Sequence, residues 1–439
     1  MPANPAFPCI YYVAPIFFCD DRLDEKLSEI LSMGFTHICT APIFKAGRRC
    51  DVFRTATFAS VADALAELGL DDAPAAWIAR KAEACRRHRL ELLIDVVVGR
   101  LAEDANIPEL HPYFSESNWP DVIDPRHLTA RGSRTPRWDD PASEHSIVAY
   151  FARVLAPLYV SGASGFRCVG SSEVPAQVWS RLMARIRQDA PDCLFIADVT
   201  GVKPAEIERL RGCGVNLLQS SLAGWDYRSA DLAACQQAGR FVAPFIWAVE
   251  TPFGRRLAAC AGEHRLCAAQ RALEVAAFAG SGILVPQGFE RGAATPMRAY
   301  SREESGPLPA DLSGRFSKVL GDVRKGQYGN RTDTLHGLSG PDAPVTVLLR
   351  ADHAAPRAAR EAALALVNPA LDRPAVIKAE SLGPLPSASL QFVAGAIQVP
   401  STGSIRLEPG AVLRLGSRAA PAVVRTPRSG AVHRAAEAP

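Results

Sequence analysis

Four ionisable side chains stand where a folded chain most often places its reacting groups, within or just after short apolar runs. Asp95 lies in Leu92-Leu93-Ile94-Asp95-Val96-Val97-Val98, Arg167 in Gly165-Phe166-Arg167-Cys168-Val169, Asp198 follows Leu194-Phe195-Ile196-Ala197, and Glu250 follows Trp247-Ala248-Val249. Carboxyl groups brought together from separate elements are the usual means of moving a proton, and an arginine beside them orients and holds negative charge. Each has a quieter reading. Asp198 can cap a following helix or bond within its loop, and Asp95 can serve as a structural partner of Arg167. Glu173, four residues past Val169, can enter such a site or simply favour the positive end of a helix.

The elements that would position these groups are legible as an alternation. Eight β-rich runs occur between residues 10 and 290: Ile10–Val13, Thr36–Cys39, Leu92–Val98, Gly165–Val169, Leu194–Ala197, Val215–Leu218, Phe241–Val249 and Ile283–Val285. Between them lie segments of helical period, such as Leu23, Leu27, Ile30 and Leu31 after Asp20 as a cap, with Gly34 as a stop, and Val174, Val178, Leu182 and Ile186 at steps of four. Apolar strands buried on both faces and each followed by a helix predict an α/β fold, a (β/α)8 barrel over residues 8–300. Residues 99–143, with Trp119, Pro120, Pro125, Pro136 and Trp138, form a connection too long for a turn and read as an inserted loop or subdomain. Residues 301–343 read as a polar connector, 344–417 as a small antiparallel β domain, and 418–439 as a disordered tail rich in Ala, Pro and Arg.

Composition narrows the function classes. A net charge of +3 over 439 residues, with no basic block interleaved with aromatics, argues against a nucleic-acid partner. No run approaches a membrane span. Eleven cysteines without a Cys-x-x-Cys pair read as reduced thiols of a cytoplasmic protein. The nine histidines show no ligand spacing and no phosphate loop is present, so no metal and no cofactor is expected. Asp139-Asp140 could touch calcium, but a solvated loop explains the pair as well.

The runs also resemble a known family. Gly165-Phe166-Arg167-Cys168-Val169 is similar to the fourth-strand motif of the α-amylase superfamily, glycoside hydrolase family 13, which reads Gly-Phe-Arg-x-Asp; Val169 stands where that family has its nucleophile. Phe195-Ile196-Ala197-Asp198 resembles its fifth-strand Phe-x-x-Glu, with Asp198 at the general acid. Glu250-Thr251-Pro252 resembles its His-Asp-Thr-Pro, with Glu250 at the third carboxylate and Val249 at the histidine. Asp95 with Gly99-Arg100 resembles Asp-x-x-x-Asn-His without the Asn-His pair, and Pro286–Glu290 matches in type and position. Val174–Trp179, Ser220-Ser221 and Trp225-Asp226-Tyr227-Arg228 look most like the amylase-like domains associated with bacterial maltose-1-phosphate maltosyltransferases.

The resemblance implies Asp198 and Glu250 as degenerate catalytic positions, and Asp95, Arg167, Trp225 and Tyr227 as substrate-binding ones. It implies an α-glucan or maltooligosaccharide ligand, and a maltosyltransferase or a second copy of the chain as protein partner. Losing a nucleophile costs on the order of a million-fold in turnover. The expectation is therefore an impaired enzyme that binds glucan or pairs with a maltosyltransferase. A working glycosidase or maltosyltransferase with displaced carboxylates, Glu173 among them, is the alternative, and a structural subunit without a sugar site is the third. Trp138, Trp225 and Tyr227 read equally as sugar-stacking rings or as core and hinge packing.

Overall fold

Eight strands are buried along almost their whole length, and their side chains alternate between two separate apolar clusters. In the computed structural model, which describes residues 8–66, 73–116, 132–301, 312–324, 334–352, 362–378, 390–394, 397–398 and 403–419, these strands close into a barrel. They are Cys9–Val13 (β1), His37–Thr40 (β2), Glu91–Val96 (β3), Gly165–Cys168 (β4), Leu194–Asp198 (β5), Leu217–Ser221 (β6), Phe245–Ala248 (β7) and Ile283–Pro286 (β8). Each pairs in parallel with the next, and β8 returns to β1. One apolar cluster lies inside the ring, with Ile10, Leu93, Ile196, Leu217, Ile246 and Leu284; the alternate positions face the helices.

Every strand is followed by a helix: Leu23–Ser32 (α1), Pro74–Arg87 (α2), Pro141–Val160 (α3), Ala176–Arg187 (α4), Pro204–Glu208 (α5), Asp231–Gly239 (α6), Arg265–Ala279 (α7) and Ser313–Arg324 (α8). α4 shows how sequence sets packing, since Val178, Trp179, Leu182, Met183 and Ile186 fall on one face and are buried. Asp20 does not cap α1, whose first flanking residue is Arg22; its carboxylate instead accepts from the Arg22 amide and Lys26. Asp140 has a defined structural role as the cap of α3, accepting from the Ala142 amide at 2.9 Å. Gly165 has a steric reason to be glycine: a Cβ there would sit 2.1 Å from the Leu194 carbonyl oxygen of β5.

The segment read as a connector is more ordered than its polarity suggests. It contains α8, the eighth barrel helix, which buries Phe316, Val319 and Leu320, and a strand, Thr334–Gly337 (β9). β9 opens a six-stranded antiparallel sheet with Thr346–Ala351 (β10), Ala362–Val367 (β11), Leu390–Ala394, Ile397–Gln398 and Val412–Ala419. Ala375–Lys378 pairs with Ser404–Leu407 beside it. The predicted run from Phe241 also begins late, because Phe241 is 60 % exposed and pairing starts at Phe245. Trp119, Pro120, Pro125 and most of the predicted tail lie outside the described residues.

The sheet is fastened to the barrel through buried cations. Arg350 of β10 donates to the Phe278 and Gly280 carbonyls, each at 3.0 Å, satisfying the C-terminal end of α7. Glu274 of α7 pairs with Arg315 of α8 and with Arg414 of the sheet. No described helix is long and apolar enough to cross a membrane.

Candidate functional site at the carboxyl end of the barrel

Arg167 is the centre of a buried polar layer inside the barrel. Its Nη1 donates to Asp95 Oδ2 at 2.5 Å, its Nη2 to Asp198 Oδ2 at 2.9 Å, and its Nε to Gln219 Oε1 at 2.9 Å. Strand register makes this possible: Asp95 lies opposite Arg167 across β3 and β4, and Asp198 opposite Gln219 across β5 and β6. Tyr12 of β1 donates its hydroxyl to the same Asp95 oxygen at 2.6 Å, and its ring lies 5.1 Å from the guanidinium. The Cys39 thiol donates to the other Asp95 oxygen at 3.3 Å. One arginine thus holds two carboxylates and an amide. Burial pushes the Tyr12 hydroxyl and the Cys39 thiol well above their ordinary values, so both stay protonated donors.

Asp198 is further committed by the backbone, since its Oδ1 accepts from the Thr200 amide at 3.0 Å. Ser171 reaches from the turn after β4 to the Asp198 carbonyl, and the Trp179 indole of α4 donates to the Ser171 carbonyl. The loops after β4 and β5 are consequently tied to each other and to α4.

Above this layer the barrel end is apolar. Val169, 4 % exposed, packs with Val97, Ala248, Val52 and Phe53 in the inner cluster, and Phe253, Met297, Ala299 and Tyr300 close over them. Phe253 meets Tyr12 edge-on at 6.3 Å and Phe53 at 5.4 Å. These caps come from the loops after β2, β7 and β8. The result is a plug of hydrocarbon over the ion layer, in which the Asp95 side chain is 0 % exposed, Arg167 5 % and Asp198 14 %.

The structure brings Asp95, Arg167, Val169 and Asp198 together, but Glu250 is engaged elsewhere. Its carboxylate pairs with Arg256 at 2.5 Å and accepts from the Leu257 amide at 2.7 Å. It thus holds the first amide of the short helix Leu257–Ala261. Burial pushes its carboxyl upward, opposed by Arg256. Glu173 is bound in a fork by Arg100, and its carbonyl accepts from the Trp138 indole at 2.9 Å, so both residues fasten the inserted segment to the loop after β4.

Trp225 and Tyr227 pack on each other with centroids 4.7 Å apart, at the junction with the C-terminal sheet. The Tyr227 ring is buried beneath the Arg271 guanidinium at 3.8 Å, and its carbonyl accepts from Thr346 of β10. The Tyr227 ring is thus covered by protein, whereas Trp225 is half-buried.

Tyr12, Gln219, Phe53 and Phe253 were not singled out by the sequence. Gln219 carried a signal, as the one uncharged amide within the run Leu217–Ser221. The two phenylalanines carried none, being loop residues two hundred positions apart. No group of His, Cys, Asp and Glu able to hold a metal occurs among the described residues.

Comparison with known proteins places this geometry. The chain is 30 % identical over 389 residues, 82 % of its length, to an α-1,4-glucan:maltose-1-phosphate maltosyltransferase of Burkholderia pseudomallei, and spans about a third (33 %) of that protein. No protein-family profile matches the chain. Among solved structures it is similar to an α-amylase from Geobacillus thermoleovorans complexed with acarbose, at a TM-score of 0.68 and 14 % identity, covering 94 % of this chain and 98 % of that one. A noncanonic maltogenic α-amylase of Thermotoga neapolitana superposes at 0.64 with 14 % identity, covering 95 % and 99 %.

Proposed function

Because this chain is a maltosyltransferase-like member of the α-amylase superfamily, we propose that it serves α-glucan and maltosyl metabolism without catalysing a step, as a protein partner of an active maltosyltransferase. The observation that carries this reading is the plug: Val169 at the nucleophile position is one of several apolar side chains filling the space over Arg167 and Asp198. A glycosidase needs two carboxyl groups about 5 Å apart on either side of a sugar. Here one is replaced by hydrocarbon, Asp198 is spent on Arg167 and the Thr200 amide, and Glu250 on Arg256 and the Leu257 amide.

The alternative, an enzyme with displaced carboxylates, has less support. Glu173 is the acid nearest in sequence to Val169, and its two oxygens are held by Arg100. Direct glucan binding in the barrel mouth is disfavoured by the same plug, so the glucan is reached through the partner. Eleven free cysteines accord with the cytosol as the site of action.

The test is turnover on maltooligosaccharides and on maltose 1-phosphate with a glucan acceptor. Wild type, Asp198→Asn and Val169→Asp should all be silent. The added carboxylate in Val169→Asp should also destabilise the fold by about 3–5 kcal/mol, because it is buried beside an arginine already committed to two acids. Wild-type turnover that disappears in Asp198→Asn would sink the proposal.

A further inference from the structure

A serine, a histidine and an aspartate meet on the outer wall of the barrel, between α1 and the end of α2. Asp24 and Ser28 stand four positions apart on α1, about one helical turn, so their side chains share one face. Leu27 and Ile30 are the buried residues of that helix and set which face turns outward. His88 follows the last residue of α2 and is fixed through the backbone around it. Its amide donates to the Cys85 carbonyl at 2.9 Å, the Arg89 amide to the Arg86 carbonyl at 2.9 Å, and the amide of buried Leu90 to the Cys85 carbonyl at 3.0 Å. Arg89 takes a left-handed φ of 55° to make this turn into β3.

The imidazole bridges the other two groups. His88 Nε2 lies 2.9 Å from Asp24 Oδ1, and Nδ1 lies 3.2 Å from Ser28 Oγ. One tautomer satisfies both contacts: with the proton on Nε2 and donated to the carboxylate, Nδ1 is left to accept from the serine hydroxyl. Ser28 Oγ also lies 2.9 Å from the Asp24 carbonyl oxygen, which fixes its rotamer. Arg87 Nη2 donates to the same Asp24 oxygen at 3.1 Å. The hydrogen bonds from His88 and Arg87 hold the Asp24 carboxyl below its ordinary value, so it stays ionised against the ring. A hydroxyl, a base and an orienting carboxylate, each within about 2.6–3.2 Å of the next, form the arrangement that activates a serine, and it is recognised by geometry rather than by chain order. A tie between two helices needs only the contact of His88 with Asp24 and does not call for a serine on the second ring nitrogen.

We propose that Ser28 is an acyl-acceptor site for small activated esters, with His88 as its base and Asp24 orienting the ring. Ser28 Oγ forms a bond to the ester carbonyl carbon while its proton passes to His88 Nδ1. The bond from that carbon to the leaving oxygen then breaks, and Nδ1 returns the proton to the departing alkoxide or phenoxide, which leaves an acyl-serine and a free alcohol or phenol. Arg87 adds positive charge to the cluster, which favours a developing oxyanion. Asp24 is 66 % exposed and His88 19 %, and Ser28 is exposed as well. The site is therefore open, and an ester is selected by the quality of its leaving group rather than by fit. This inference is independent of the function proposed above, since none of these residues belongs to the plugged end of the barrel.

The experiment treats the full chain with p-nitrophenyl acetate, and in parallel with a fluorophosphonate whose adduct resists hydrolysis, and maps the modified residues by peptide mass spectrometry over time. Ser32 is the internal reference: it is exposed on the same helix and bonds a backbone carbonyl in the same way, at 2.7 Å from the Glu29 oxygen. The variants are Ser28→Ala, His88→Gln and Asp24→Asn, all at the protein surface, and thermal melting confirms that each folds. General-base assistance is worth on the order of a hundredfold or more at a formed site, so in this open one Ser28 should be labelled at least about tenfold faster than Ser32. His88→Gln should bring Ser28 down to the rate of Ser32. Asp24→Asn should fall between, because an amide no longer fixes the proton on Nε2. Labelling of Ser28 no faster than Ser32 overturns the proposal, and so does fast labelling of Ser28 that survives His88→Gln. Fast release of p-nitrophenol that persists in Ser28→Ala and disappears in His88→Gln overturns it too, since the imidazole would then be the nucleophile.

Discussion

Glu290 shows how a single side chain can carry a signature of this fold that is independent of any activity. It lies just after β8, 6 % exposed; Oε1 accepts from the Tyr11 hydroxyl at 3.0 Å, and Oε2 is buried without a hydrogen bond. Burial is the largest influence on its carboxyl and raises it above 4.5. A carboxyl whose folded value is raised prefers the protonated form in the fold, so its contribution is fully present below the unfolded value and is lost as pH rises through the folded one. Glu290→Gln keeps the acceptor for Tyr11 and removes the ionisation. It should raise the melting temperature at pH 7 to 8, with the gain fading as pH falls through the folded value and gone below about pH 4.5; an equal gain at every pH would refute this account. Arg167 is the converse case, because its removal strands two buried acids. The three polar groups on it explain why Asp95 and Asp198 persist in a barrel whose neighbouring site residue is a valine.

At the scale of elements, the plug makes its own demand on the loops that build it. Phe53 is 7 % exposed and contacts Phe253 edge-on. Phe53→Ala should therefore cost about 3 kcal/mol of stability through the cavity it leaves, and Phe53→Leu less than half of that, read from urea midpoints at unchanged slope. A cost near zero would mean that the loops do not hold the barrel closed. The eight barrel strands were legible because both of their faces are buried, which leaves few polar interruptions between Leu92 and Val98 or Ile283 and Val285. The pairing of Asp95 with Arg167 was legible too, as two charges at matching depths in adjacent runs. α8 was not, since Phe316, Val319 and Leu320 are diluted by Gly314, Gly321 and basic residues. The plug could not be read at all, because tertiary structure alone brings three unrelated loops to one place. Trp225 and Tyr227 illustrate the same limit: the residue types suit a sugar, and only the position of the C-terminal sheet shows what they touch.

Across the whole molecule, barrel and sheet share one apolar cluster, through Leu335, Leu348, Ala363, Ala365 and Val367, and are joined besides by buried charges with fixed partners. Arg350, 2 % exposed, is satisfied by two carbonyls at the end of α7. Replacing it with methionine leaves those carbonyls without a buried donor, at about 1–3 kcal/mol each at most. The variant should melt earlier, in two calorimetric steps in place of one; a single unshifted transition would show that the sheet is held by apolar packing alone. The same joint bears on the loop after β6. Tyr227 adopts a left-handed backbone with φ of 61°, a conformation that most side chains avoid, and it is held there by Arg271 on its ring and Thr346 on its carbonyl. A loop in that position elsewhere in barrel proteins is free to vary, and new specificities arise by lengthening or exchanging it. Here the loop is a mortise for the neighbouring sheet: with Tyr227 locked between Arg271 and Thr346, any change in its length must first keep that joint closed.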